Sequence, residues 1–191
     1  PHRREYVKVV FAPQQSVPTE HYNLWRGFAV QSTKGNCDPY LHFVLEVICA
    51  HDKAKYEYLI NWLACLVQKP NKLPEVAIVL MGGQGTGKNT FIKPLSEMLG
   101  PHAIETSTID QIAGRFLGHF ADKVLAHANE STWGGNKQYE GTLKALITEP
   151  SRAIERKGLD IQVMKNCIHL IVSSNEDSPA AAAMDDRRFA V

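Results

Sequence analysis

The sequence predicts an α/β fold in which a parallel central sheet is flanked by helices and preceded by a small helical region. Three observations carry that expectation. Short, continuous apolar runs at 76–81, 123–128 and 168–173 alternate with amphipathic segments, as strands covered by helices on both faces do. A glycine-rich turn follows the first run directly and opens directly into an amphipathic segment. Ahead of residue 74 the apolar spacing is helical instead. With 191 residues, 44% of them hydrophobic and 21% charged, the chain can bury one sizeable core without disulfide or metal staples.

The elements follow in order. Residues 1–37 form an N-terminal extension with a strand-like alternation at Val7, Val9 and Phe11, then a Pro/Gln/Ser stretch, then a segment with Trp25, Phe28 and two glycines. No chemistry is legible in it. Residues 38–74 are a helical preface. Asp38-Pro39 predicts a cap followed by Pro at the first helical position, with Leu41, Val44, Leu45 and Ile48 on one face. A second helix is expected over 54–68, its face made by Tyr56, Leu59, Ile60, Leu63, Leu66 and Val67, with Pro70 stopping it. Trp62 and its aromatic neighbours read either as a base-stacking platform or, the better fit to helical spacing, as plain core. Residues 75–191 make the α/β core, expected to be cut short at its C-terminus. Besides the three runs it offers shorter strands at 103–105 and from Phe189, a capping-box start at Thr108 and Gln111, and a helix carrying Tyr139, Leu143, Leu146 and Ile147.

Bulk properties exclude several functions. Twenty-one Lys+Arg against twenty Asp+Glu give a net charge of +1, so binding to nucleic acid has to come from a local patch rather than a global field. Even an apolar run such as 76–81 is far shorter than the ~20 residues that cross a bilayer, and no membrane partner is expected. Residue 1 is Pro and charged residues follow it, with no signal-peptide pattern, so the chain reads as a piece of a longer polypeptide. Cys37, Cys49, Cys65 and Cys167 lack CxxC spacing and are expected to be reduced, buried and small in a cytoplasmic protein.

Chemistry concentrates at Gly82-Gly83-Gln84-Gly85-Thr86-Gly87-Lys88-Asn89-Thr90, between a buried strand and a helix bearing Phe91, Ile92, Leu95, Met98 and Leu99. Glycines let backbone N–H groups approach a phosphate chain, the helix N-terminus adds positive potential, and Lys88 reaches the β/γ oxygens of ATP. Where the phosphate-loop pattern has a Mg2+-binding Ser or Thr, this chain has Asn89, with Thr90 one place later. Either the Asn89 carbonyl is a hard ligand or Mg2+ is held through water. Pro94 inside the helix removes one backbone bond and predicts a kink. The run at 123–128 ends in Asn129-Glu130; Glu130 is the candidate base for an attacking water, while Asn129 stands where an aspartate would ligate the metal. His127 reads as a satisfied core histidine. The run at 168–173 leads to Asn175, a neutral amide suited to sensing the γ-phosphate.

The ordered set GGQGTGK, LAHANE, a basic hairpin around Arg156-Lys157-Gly158, IVSSN and finally Asp186-Arg187-Arg188-Phe189 resembles the superfamily III helicases, closest to the phage primase-helicases and the poxvirus-type branch. The likeness covers roughly 22–191. It implies a P-loop NTPase of AAA+ type, an ATP- and Mg2+-dependent DNA helicase of a viral or prophage replication protein, located in the host cytoplasm. It also implies a homo-oligomeric ring, commonly a hexamer, around single-stranded DNA, with a primase domain on the same polypeptide. In that scheme Arg187 or Arg188 is a finger for the neighbouring subunit's ATP. The hairpin, expected as strands at 153–156 and 161–165, would grip sugar-phosphate through Arg156 and Lys157. Two other classes stay open: an ATP-binding ring-assembly or DNA-loading module with little turnover, and a small-molecule kinase, for which the arginine pair and charged hairpin have no use.

Overall fold

A computed structural model describes residues 4–107, 110–113, 118–129, 137–155, 160–175 and 186–191. At the N-terminus, strands β1 (Lys8–Val10) and β2 (His21–Asn23) pair in parallel. The expected alternation buries only Phe11, while Val7 and Val9 are exposed. Asn23 returns to the loop between the strands: its Oδ1 accepts from Ala12 N and its Nδ2 donates to Ala12 O, both at 3.0 Å. The extension is then fastened to the rest by His102. Its Nε2 accepts from Arg26 N at 3.0 Å, so Nδ1 carries the proton and donates to Asp122 O at 2.7 Å. Trp25 stacks on the same ring, with centroids 4.4 Å apart.

The preface forms helix α1 (Asp38–Phe43), which widens into a π-helical turn over Val44–Ile48, and helix α2 (Lys53–Gln68). Asp38 is not the cap of α1. That position falls to Cys37, whose carbonyl accepts from Tyr40 N and Leu41 N but whose side chain makes no cap bond, while Asn36 Oδ1 takes the Asp38 N–H at 2.8 Å. Asp52 caps α2 through Oδ1, which accepts from Ala54 N and Lys55 N. Of the two readings of Trp62, core is the one observed: it is 5% exposed and its Nε1 donates to Val76 O at 2.9 Å. The four cysteines are free; Cys49 and Cys167 are buried as expected, Cys65 is half-buried, and Cys37 is exposed, since it lies in the linker ahead of α1.

The remaining chain runs β3 (Ala77–Met81), α3 (Lys88–Leu99), β4 (Ala103–Thr106), α4 (Asp110–Ala113), β5 (Leu125–Ala128), α5 (Lys137–Thr148), the antiparallel pair β6 (Ser151–Ile154) and β7 (Gln162–Lys165), β8 (His169–Ser174) and β9 (Phe189–Ala190). Helix α3 runs through Pro94 as one helix. Gln111 Oε1 accepts from Ser107 N at 3.1 Å; its expected capping partner Thr108 lies outside the described residues.

Five strands form one all-parallel sheet in the order β4-β5-β8-β3-β9. Successive strand residues point to opposite faces, and the core divides accordingly. One face sets Ile78, Leu80, Leu125 and Ile171 against Phe91, Leu95 and Leu99 of α3 and against Leu59, Trp62 and Leu66 of α2. The other sets Ala77, Val79, Ala126, Leu170 and Val172 against Leu143, Leu146 and Ile147 of α5. The chain leaves β3 toward the β4 side and returns at the end to β9 on the other side. This makes the carboxyl end of β3 a topological switch point, where open α/β sheets bind ligands. Among the described residues no helix is long and apolar enough to cross a membrane.

Candidate functional site

The glycine-rich turn occupies that switch point. β3 ends at Met81, and α3 begins at Lys88 behind Gly87, which caps it in a left-handed conformation with φ 93°. Glycine is required at 87 twice over: an L side chain is strained at that φ, and a Cβ there would lie 3.0 Å from the Phe43 ring of the preface. Thr86 Oγ1 donates to Gly83 O at 2.9 Å and braces the turn. Lys88 Nζ folds over it, donating to Gly82 O and to Gly83 O at 2.9 Å. A bare loop, a helix N-terminus and an ammonium group therefore converge on one spot, the donor set for a polyphosphate. Asn89 and Thr90 are exposed on the first turn of α3, where they can reach a cation directly or through water.

The strand tips place the other predicted residues. Met81 is the register partner of Ser174, so Asn175 leaves β8 beside the start of the turn. Asn129 leaves β5 with both ends of its amide engaged: Nδ2 donates to Glu105 Oε1 at 3.0 Å and Oδ1 accepts from Ser173 Oγ at 3.2 Å. An amide so tied suits an outer role around a metal better than direct ligation. His127 is the buried histidine expected, 2.9 Å from Ser173 Oγ through Nε2. Burial pushes its pKa down, partly countered by Glu105. Glu130, Arg156 and Lys157 lie outside the described residues; the first strand of the expected hairpin runs over Ser151–Ile154, two residues earlier than expected.

The arginine pair sits at the opposite end of the sheet. Phe189 pairs with Ala77, so Arg187 and Arg188 adjoin the start of β3, roughly 13 Å of strand away from the turn that follows Met81. Arg188 is held within the chain: its Nη1 donates to Asp186 at 2.9 Å, and Lys144 Nζ joins the same carboxylate at 3.1 Å. Arg187 is exposed and forms no ion pair among the described residues.

Glu105 was missed. The sequence offers only Glu130 as an acid near the loop, yet parallel pairing of β4 with β5 sets Glu105 opposite His127. The available signal was parity: Glu105 is two residues from Ala103 and shares the face that α3 covers.

A family model described as a family of unknown function, DUF5906, matches residues 80–188, more than half of the chain. The chain belongs to the DUF5906 family. This DUF5906 chain is also 31% identical over 144 residues to the DNA primase-polymerase of Nitratiruptor phage NrS-1, an alignment covering 74% of this chain and 20% of that protein. Its fold matches the apo structure of the NrS-1 C-terminal region with a TM-score of 0.81 at 24% identity, and an A-form apo structure of the same region with 0.80 at 25%. Each match covers 96% of this chain and 46% of the other. The DUF5906 chain is thus related to a phage replication enzyme and spans about a fifth of that relative and under half of the solved chains.

Proposed function

We propose that this chain is the ATP-hydrolysing motor part of a viral replication protein, a P-loop ATPase of the superfamily III helicase kind that moves on single-stranded DNA as a ring. The observation that carries the reading is the turn Gly82–Thr90, with its lysine and helix N-terminus, at the switch point of a parallel sheet. Beside it, a cavity of about 640 Å3 is lined by Gly82, Thr86 and Lys88 together with apolar side chains such as Ile48, Tyr58 and Val191, a lining suited to a triphosphate and a nucleoside.

In this reading Lys88 exchanges the carbonyls of Gly82 and Gly83 for β/γ-phosphate oxygens. Bound Mg2+ would neutralise charge on those oxygens, held by Asn89 and Thr90 and, through water, by Asn129 and Glu130. Glu130 takes the proton of the attacking water, and Asn175 hydrogen-bonds the γ-phosphate. Arg187, too far from its own loop and unpaired in the described chain, reaches a neighbouring protomer's phosphate, a contribution of roughly 10³–10⁵ in rate. Arg156 and Lys157 contact the DNA backbone as point charges, which makes binding sequence-independent and salt-sensitive.

A second reading, an ATP-binding ring-assembly or loading module with little turnover, is favoured by the uncharged, fully engaged Asn129 amide. Steady-state ATPase with and without single-stranded DNA separates them. DNA-stimulated turnover supports the motor; nucleotide binding without turnover supports the loader.

A further inference from the structure

Three adjacent strands close a polar ring that the loop motif does not use. Glu105, His127, Asn129 and Ser173 occupy positions of one parity, on the face that α3 covers, at the carboxyl end of the sheet. Asn129 Nδ2 donates to Glu105 Oε1, and Ser173 Oγ donates to Asn129 Oδ1. Ser173 has one hydroxyl proton, so its 2.9 Å contact with His127 Nε2 requires the imidazole to donate there. His127 Nδ1 is then unprotonated in the neutral ring, and it faces Glu105 Oε1 at 3.9 Å. Among the described residues the Glu105 carboxylate therefore meets a neutral amide and a neutral imidazole, and nothing cancels its charge.

That carboxylate has somewhere to act. Its side chain is 63% exposed and lines a cavity of about 650 Å3 together with Asn89 and Thr90 on the first turn of α3. The other charged groups on this wall, Lys93 and Glu97, face each other at 3.8 Å. Mg2+ in nucleotide sites keeps several waters and takes one or two carboxylates besides phosphate, and Asn129 cannot supply one.

We infer that Glu105 is a cation-positioning residue: it contributes from the neighbouring strand the negative charge that Asn129 lacks, and holds through water the divalent ion of the bound nucleotide opposite Asn89 and Thr90. The inference rests on the nucleotide reading above. Its test compares the wild-type chain with Glu105→Gln, which keeps an acceptor for Asn129 Nδ2 and loses only the charge, and with Glu105→Asp, which keeps the charge. A fluorescent non-hydrolysable ATP analogue is titrated in excess Mg2+ and in EDTA, and Mn2+ affinity is read by electron paramagnetic resonance in the presence of the analogue. The wild type is expected to bind more tightly with Mg2+. Glu105→Gln should match it in EDTA but lose Mn2+ affinity by roughly 10- to 100-fold, the range for outer-sphere partners of metal sites, and Glu105→Asp should recover part of the loss. An undiminished Mg2+ and Mn2+ response in Glu105→Gln overturns the inference, as does an equal loss in EDTA. Failure of the wild type to bind the analogue under either condition removes the nucleotide reading itself.

Discussion

His169 is fully buried at the start of β8, edge-on to Trp62 with ring centroids 5.2 Å apart. Its Nδ1 is 3.1 Å from Cys167 O, to which it donates, and Nε2 has no partner among the described residues. Burial lowers its pKa to about 4, opposed in part by the bond to the Cys167 carbonyl. Burial also lowers the pKa of His102 and His127. A histidine whose folded pKa is depressed takes up its proton more readily when unfolded, so its contribution to stability is complete above the unfolded value near 6.5 and is lost as pH falls from there toward 4. For His169 alone this amounts to about 3 kcal/mol at most. Urea unfolding at about pH 7 and about pH 4.5 should show a marked loss in the wild type and a smaller one in His169→Phe; equal losses in both would remove His169 from the account. At this scale the sequence was legible where a residue's placement depends on its own neighbours, as with the buried Trp62. Glu105 was illegible because its setting comes from a residue 22 positions away that strand pairing places beside it.

At the scale of elements, the left-handed cap of α3 couples the turn to the preface. Gly87→Ala meets both an unfavourable φ and the Phe43 ring, and should cost about 1–2 kcal/mol from the backbone alone. Gly83, where a Cβ would meet nothing within 4 Å, is the control: Gly83→Ala should shift the melting temperature little. Comparable melting temperatures for the two variants would contradict the coupling. The clamp of Arg188 and Lys144 on Asp186 divides the arginine pair in the same way, since Arg188→Ala should destabilise the approach to β9 while Arg187→Ala leaves stability unchanged. Strand and helix identities were readable because apolar runs and 3.6-residue spacing report burial directly. The α1 cap and the π-helical turn at Val44–Ile48 were not, since they depend on which backbone N–H Asn36 takes and on packing against α3.

For the whole molecule, the parallel pairing of β9 with β3 sets the arginines, which precede β9, and the glycine-rich turn, which follows β3, at opposite ends of the sheet. Segment patterns predict a parallel sheet, and with it this separation, but carry no information on strand order, so the place of β9 beside β3 became visible only in the fold. It turns the proposed finger into a statement about assembly. Arg187→Ala chains mixed with Lys88→Ala chains should regain part of the ATPase activity that each lacks alone, because one intact interface combines the good loop of the first with the good arginine of the second. No recovery at any mixing ratio, in rings verified to contain both chains, would count against action in trans.

The central claim is that the turn at Gly82–Thr90 holds the phosphates of ATP, and calorimetric titration of a non-hydrolysable ATP analogue into wild-type and Lys88→Ala chains tests it most directly. The account predicts saturable binding at one site per chain, weakened roughly 10- to 150-fold in Lys88→Ala by loss of a charge-assisted hydrogen bond. Absence of binding to the wild type, or equal affinity in both chains, would contradict it.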